Sequence, residues 1–120
     1  MKQSKIIIHS DGTPSRSFCY VSDSIRGFLK ILFFGKSGSI YNVGNDEEIS
    51  MKELAIEIKN LVCNTEIIYK KNQDKHYTTD NPQKRVPDLT KIKKELEFFP
   101  KISLDEGLKR VYSWYKESLQ

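Results

Sequence analysis

The segment HSDGTPSRSFCYVSD, which runs from His9 to Asp23, holds the signals that organise the first half of the chain. Its Asp-Gly pair and Pro14 predict a turn, because these residue types favour the backbone angles that turns require. The β-branched run KIIIHS predicts a strand before the turn, and RSFCYV predicts a second extended segment after it. Ser22 or Asp23 can then N-cap a helix over SIRGFLKILFF, whose apolar residues recur at helical spacing.

Similar signals continue along the rest of the chain. SIYNVG predicts a strand, NDEE predicts a loop, and TEIIYK predicts the next strand. Ser50 followed by Glu53 predicts a capping box at the start of the helix MKELAIEIKNLV. A long loop from Lys71 to Asp88 precedes a short helix that begins at Thr90, and a final helix follows. We therefore expect an α/β fold of order βαβαβ-loop-αα, with residues 1–120 forming a single domain.

The composition is that of a globular chain with a surplus of positive charge. The 120 residues carry a net charge of +4 and have a pI of about 9.0. This balance favours anionic partners, such as nucleic acid or a phosphorylated small molecule. The chain has no run of 18 apolar residues and its first residues do not resemble a signal peptide. We expect no membrane partner and a cytoplasmic location.

Several kinds of site have little support in the sequence. Cys19 and Cys63 stand in apolar surroundings and are expected to be buried free thiols. His9 and His76 are far from each other and from both cysteines, so no metal site is expected. The chain contains neither a G-x-G-x-x-G segment nor a P-loop, so we expect no cofactor to be bound by this chain alone.

Arginine is the residue type that points to a ligand. The chain has four arginines against sixteen lysines, and two of the four, Arg16 and Arg85, fall in predicted turns or loops. Arg26 and Arg110 fall on predicted helices and are expected to face solvent. A guanidinium group is a planar fork that binds two oxygens of a phosphate at once, whereas a lysine offers a point charge. Spacing alone leaves open a local role, in which each arginine bonds to the carbonyls of its own loop.

Three segments in order resemble the C-terminal part of the NAD-dependent nucleotide-sugar epimerases and dehydratases, which are extended short-chain dehydrogenase/reductases. The segments are SDGTPSRSFCYVSD, IYNVGNDEEISMKELA and RVPDLTKIKKELEFFPKISLDEGLKRVYSWY. The resemblance covers about residues 5 to 117. Within this family the chain is similar to the UDP-glucuronate decarboxylases and the dTDP-glucose 4,6-dehydratases, with the R-V-P-D segment favouring the decarboxylases.

The resemblance implies a division of labour in the complete enzyme. The chain corresponds to the smaller substrate-binding domain, and the Rossmann domain, with NAD and the catalytic Tyr-x-x-x-Lys, is absent from it. Tyr112 and Lys116 have the Y-x-x-x-K spacing but do not stand at the family's catalytic position. We therefore expect this chain to bind the nucleotide-diphosphate end of a UDP- or dTDP-sugar and to have no catalytic activity alone. Whether it counts as an enzyme by itself stays open.

The resemblance also assigns roles to four residues. Arg16 matches the arginine of the R-x-F segment, which contacts the substrate diphosphate. Arg85 matches the arginine of R-x-P-D, which reaches the diphosphate or the sugar. Asp88 matches the acid of that segment, which lies near the nucleotide or starts the following helix. Asn42 matches the asparagine of Y-N-x-G, which is near the ligand in some relatives and structural in others.

Two other functions remain as alternatives. The chain could be an interaction module without a ligand, which complements a separate Rossmann chain. It could also be a basic nucleic-acid-binding domain, which exposed aromatic residues among the lysines would favour. Against this, most aromatic residues are expected on the faces of helices and strands that point to the core. Lys91, Lys93 and Lys94 fit a solvated helix face.

Overall fold

The computed structural model describes residues 4–70 and 82–118. These residues form an α/β fold, and the chain divides into two compact units. Unit 1 comprises Met1–Arg16 and Glu48–Arg85, and unit 2 comprises Ser17–Glu47 and Val86–Gln120. The elements in chain order are β1 (Ser4–Ile8), β2 (Ser15–Ser17), α1 (Val21–Phe34), β3 (Glu48–Ser50), α2 (Met51–Leu61), β4 (Thr65–Tyr69), β5 (Lys84–Arg85), α3 (Thr90–Leu96) and α4 (Leu104–Ser118).

Unit 1 is built on the parallel pairing of β1 with β4, in register from Ser4↔Thr65 to Ile8↔Tyr69. A parallel pair needs a crossover connection, and α2 packs against both strands. The predicted capping box of α2 is confirmed. The Ser50 hydroxyl accepts from the Glu53 backbone N–H at 3.1 Å, and the Glu53 carboxylate accepts from the Ser50 backbone N–H at 2.9 Å.

A second, three-stranded sheet has the order β3-β2-β5. The strand β5 lies inside the segment predicted as a loop from Lys71 to Asp88. Residues 71–81 of that segment, with His76, lie outside the described residues. The strand forms because β2 supplies backbone partners for it, including a bond from the Ser15 N–H to the Gln83 carbonyl at 2.7 Å. Because β2 lies far from β5 in sequence, the residues around β5 contain no pattern that predicts this strand.

The strand predicted over SIYNVG is wrong. Residues 39–47 form no strand, and β3 begins later, at Glu48. Side chains satisfy polar groups of this segment in place of a neighbouring strand: Lys91 Nζ donates to the Ile40 carbonyl at 3.0 Å. The Val43 side chain packs against the core of unit 2, which anchors the segment.

The core of unit 2 is formed by α3, the residue before it and the residues after it. Leu89, Ile92, Leu96 and Phe98 are buried, with Ile31, Tyr41 and Val43 packed against them. Gly27 lets α1 approach this core. A Cβ atom at that position would lie 2.6 Å from Val43 Cγ1 and 3.1 Å from the Phe98 ring. The helix can therefore pack here only without a side chain at residue 27.

Asp23 joins α1 to the chain that enters α4. The helix starts at Val21, so the predicted N-cap at Ser22 or Asp23 is wrong. Asp23 is instead buried in the first turn, where its Oδ2 accepts from the backbone N–H groups of Lys101 (2.7 Å) and Ile102 (2.8 Å). Arg26 pairs with Asp23 Oδ1 at 2.8 Å. The Asp23 carboxylate therefore bonds to backbone groups that lie far away in sequence. Capping rules do not consider such distant partners.

Three expectations about exposure are also wrong. Arg26 is half-buried, because its guanidinium also donates to the Phe99 carbonyl and lies over the Phe98 ring, 5.6 Å from the centroid. Cys63 is exposed, because it lies in the short connection between α2 and β4, and Cys19 is half-buried. Many aromatic side chains are exposed, among them Phe28, Phe33, Phe34, Trp114 and Tyr115.

Within the described ranges no helix combines the length and apolarity needed to cross a membrane.

We expect Asp23→Ala to lower the free energy of unfolding by about 2 kcal/mol, because it leaves two part-buried backbone N–H groups and a half-buried guanidinium without this acceptor. Urea denaturation of the full chain measures this change. Asp105→Ala is the matched control: Asp105 forms an exposed pair with Lys109 within one turn of α4. Its loss should cost less than about 0.5 kcal/mol. Equal losses in the two variants would contradict the role given to Asp23.

Candidate functional site

Arg16 and Arg85 lie side by side in unit 1. The strands β2 and β5 pair in parallel, with Ser15 opposite Lys84 and Arg16 opposite Arg85. Neighbouring strands are about 4.8 Å apart and their pleats are in phase, so residues in register project from the same face of the sheet. The two predicted site arginines therefore share one face of a small sheet. This juxtaposition comes from the sheet register, which the sequence did not reveal.

A tight turn fixes the backbone that leads into Arg16. Gly12 has a φ of +86°, and a Cβ there would lie 3.0 Å from Lys52 Cβ and 3.1 Å from the Tyr69 ring, so both conformation and space favour glycine. The Asp11 carboxylate accepts from the Thr13 N–H at 2.9 Å. The carbonyls of Gly12 and Pro14 accept from the first two N–H groups of α2 at 3.0 and 2.9 Å. The predicted turn is confirmed, and it ties β2 to the start of α2.

Glu48 bridges the two residues that precede the arginines. Its carboxylate accepts from the Ser15 hydroxyl with one oxygen and pairs with the Lys84 ammonium through the other. The hydrogen bond from Lys84, followed by that from Ser15, holds the pKa of Glu48 below its ordinary value. Successive residues of a strand point to opposite faces, so Ser15 and Lys84 lie on the face opposite the arginines. The sequence had placed Glu48 in a loop and missed this role.

The surroundings of the two arginines differ. Arg85 is exposed, whereas Arg16 is half-buried and its Nη1 donates to the Ser15 carbonyl at 2.6 Å. That bond is of the local kind that spacing left open.

Arg16 also lines a cavity of about 400 Å³ within unit 1. The walls are mainly apolar side chains of β1 and α2, with His9 and Ser10 as further polar lining residues. A volume of this size lies in the range of small-ligand sites. Most of the polar character of the cavity comes from these few residues at the end of β1 and in β2.

Asn42 and Asp88 form a second pair, in unit 2. Asn42 Nδ2 donates to the Asp88 carbonyl at 3.0 Å, and the Asp88 carboxylate accepts from the Thr90 N–H at 2.8 Å. Hydrogen bonding to Thr90 lowers the pKa of Asp88 from its ordinary value. Both side chains therefore fix the start of α3. This agrees with the structural role that the sequence left open for each of them. A contact of either with a ligand stays a prediction.

The other residues singled out by the sequence lie on or beside α4. Arg110 is exposed as expected, pairs with Glu106 at 2.5 Å, and lies over the Tyr20 ring, 5.5 Å from its centroid. Tyr112 and Lys116 both lie on the exposed part of α4. In the described part of the chain, histidine, cysteine, aspartate and glutamate form no group of three that could hold a metal ion.

The fold and the residue pattern define a class of protein. Residues 1–111 match the family model of GDP-mannose 4,6-dehydratase, and the chain belongs to that family. This confirms the resemblance to the NAD-dependent nucleotide-sugar epimerases and dehydratases.

Among curated proteins, the chain is 41% identical over 103 residues to UDP-glucuronic acid decarboxylase 5 of Arabidopsis thaliana, which covers 86% of this chain and 29% of that protein. It is 34% identical over 116 residues to human dTDP-D-glucose 4,6-dehydratase, covering 95% of this chain and 33% of that protein. The chain thus spans about a third of the length of these relatives.

Solved structures show the same fold. UDP-glucose 4-epimerase of Thermotoga maritima, determined with UDP-glucose, superposes with a TM-score of 0.85 at 27% identity, over 97% of this chain and 36% of that one. UDP-glucuronic acid 4-epimerase of Bacillus cereus, in complex with UDP-4-deoxy-4-fluoro-glucuronic acid and NAD, gives a TM-score of 0.73 at 25% identity, over 95% of this chain and 36% of that one. The chain therefore has an α/β fold like that of extended short-chain epimerases.

We expect the pKa of Glu48 to lie below 4.5 in the folded chain. Because the folded pKa is depressed, the bridge contributes stability above the unfolded pKa, and that contribution is lost as pH falls through the folded pKa. NMR titration of the side-chain carboxyl carbon measures the value. Lys84→Met should raise it toward 4.5, and Lys52→Met, a change of an exposed lysine on α2, should leave it unchanged. A midpoint at or above 4.5 in the unaltered chain would contradict the bridge.

Proposed function

We propose that this chain binds the diphosphate of a nucleotide-sugar through Arg16 and Arg85. It acts as the substrate-binding part of an NAD-dependent epimerase, dehydratase or decarboxylase. The observation that carries the proposal is the register of β2 and β5, which sets the two arginines opposite each other. Family membership supports the class of ligand, and related structures contain UDP-sugars.

The chemistry of the pair suits a diphosphate. Each guanidinium can donate two parallel N–H bonds to two oxygens of one phosphoryl group. Two such groups on one sheet face match two linked phosphoryl groups, whereas a monophosphate would engage one arginine well. Lysine in either position would keep the charge and lose the geometry, which explains why arginine stands here in a lysine-rich chain.

Binding at the diphosphate would serve a reaction that takes place elsewhere on the substrate. Protein contacts can orient the sugar even when they are made to a non-reacting part of the substrate. They hold the sugar at the reacting groups. The chain has no glycine-rich turn opening a helix, so its residues do not fit NAD. We assign NAD to the remainder of the complete enzyme and derive no chemical step from the residues of this chain.

The decarboxylases are the branch that we favour. The R-V-P-D segment that contains Arg85 suggested this branch, and the match with the Arabidopsis decarboxylase supports it. Asn42 and Asp88 are proposed as further substrate contacts. They are weaker candidates than the arginines, because the Asn42 amide and the Asp88 carboxylate already bond to the backbone at the start of α3.

Nucleic-acid binding is a second candidate, which the exposed Trp114 and Tyr115 on α4 favour. Two basic residues on the same helix, Lys109 and Arg110, each pair with an acid one turn earlier. In the lysine group of α3, Lys93 pairs with Asp46 at 2.5 Å. Because several basic groups already have acidic partners, we rank this function below diphosphate binding.

Titration of the isotope-labelled chain with UDP, dTDP and inorganic diphosphate tests the proposed function. We expect saturable amide shifts in β2 and β5. Arg16→Ala and Arg85→Ala should each raise the Kd by about tenfold to a hundredfold, the cost of losing hydrogen bonds to a charged group. Arg110→Ala is the matched control, because Arg110 is an exposed arginine of unit 2.

Two outcomes would overturn the proposal. One is the absence of saturable shifts at millimolar UDP or diphosphate. The other is an equal effect of Arg110→Ala, which would indicate general charge attraction. Tighter binding to RNA or DNA than to UDP, with a steep dependence on salt, would favour the second candidate.

A further inference from the structure

A carboxylate links all three strands of the sheet β3-β2-β5. Glu48 lies on β3 at one edge of the sheet, and Lys84 lies on β5 at the other edge, with β2 between them. One oxygen of the Glu48 carboxylate accepts from the Ser15 hydroxyl of β2, and the other pairs with the Lys84 ammonium. The Glu48 bridge, as we call these two contacts, therefore spans the sheet from edge to edge.

The strand β5 is short and lies at an edge of the sheet. Its two residues pair with β2 in register. A pairing of this length supplies few backbone hydrogen bonds, so side-chain contacts between the strands carry a large share of its stability. The backbone bonds from Gly12 and Pro14 tie the approach to β2 to the start of α2, and they do not involve β5. The Glu48 bridge does.

The Glu48 bridge lies on the face of the sheet opposite the two arginines, because Ser15 and Lys84 each precede an arginine in their strands. A ligand bound by both arginines is therefore out of reach of the Glu48 carboxylate. Arg85 is exposed, so packing of its side chain does little to place it. Its position follows from the backbone of β5, which Glu48 holds through Lys84.

We infer that Glu48 is a positioning residue that sets the preference of the site for a diphosphate over a single phosphate. The inference rests on the proposed binding of a diphosphate by Arg16 and Arg85. One guanidinium can bind a single phosphate whatever the register of the strands. A diphosphate that engages both arginines needs them at a fixed separation, and its binding therefore depends on the register that the Glu48 bridge maintains.

The sign of the effect separates positioning from charge attraction. A carboxylate near an anion site repels the anion, so removing it strengthens binding if charge alone matters. Positioning requires the opposite sign. Loss of the Glu48 carboxylate should weaken diphosphate binding, although the chain becomes more positive.

Calorimetric titration of the full-length chain with inorganic diphosphate and with inorganic phosphate tests this inference. Glu48→Gln should raise the Kd for diphosphate by about threefold to fivefold, the range for loss of an exposed ion pair, and change the Kd for phosphate by less than about twofold. Glu66→Gln is the matched control, because Glu66 is an exposed glutamate of β4, in the other sheet. It should not raise the Kd for diphosphate.

A charge swap provides the rescue. Glu48→Lys and Lys84→Glu should each weaken diphosphate binding, because each places two like charges at the bridge. The double variant restores an ion pair of reversed polarity and should bind diphosphate within about twofold of the unaltered chain. The Ser15 N–H, which bonds to the Gln83 carbonyl at 2.7 Å, should exchange with solvent faster in the two single variants and at the original rate in the double variant. Thermal midpoints should stay unchanged, because the pair is exposed.

Three results would contradict the positioning role. Unchanged or tighter diphosphate binding by Glu48→Gln would leave Glu48 with a charge effect or none. Equal losses of affinity for phosphate and diphosphate would remove the preference assigned to it. A double variant as weak as the single variants, with fast exchange at Ser15, would exclude the bridge. Each of these leaves the proposed function intact, whereas an unaltered chain that binds no diphosphate would overturn both.

Discussion

The parallel pairing of β2 with β5 is the constraint on which the candidate site depends. The two strands are only three and two residues long, and other contacts hold them in register. Glu48 connects Ser15 to Lys84 on one face, while the turn before β2 is bonded to the start of α2. Arg16 and Arg85 then face each other as a consequence. A shift of one residue in the register of β2 and β5 would move one arginine to the opposite face of the sheet. The two arginines would then no longer form one site.

Features encoded by neighbouring residues could be predicted from the sequence. The capping box of α2 and the turn at Asp11 to Pro14 depend on side chains that bond within three residues of themselves. The start of α3 at Thr90 was also predicted, and the Asp88 carboxylate accepts from the Thr90 N–H there. Arg16 and Arg85 were singled out by residue type and position, although nothing in the sequence showed that they are opposite each other.

Features that depend on distant partners could not be predicted. Asp23 has the sequence context of an N-cap, yet it bonds to backbone groups at Lys101 and Ile102. The segment SIYNVG has the composition of a strand but finds side-chain partners instead. The periodic apolar residues of α1 predicted a helix correctly, and periodicity could not show that they face solvent.

Arg16 and Arg85 are proposed to bind one diphosphate together. A double-mutant cycle measures this directly, with the Kd for UDP determined by calorimetry for the unaltered chain, Arg16→Ala, Arg85→Ala and the double variant. If both arginines bind the same ligand, the loss in the double variant will differ from the sum of the single losses by about 0.5–3 kcal/mol. Strictly additive losses, or a single substitution without effect, would contradict the claim.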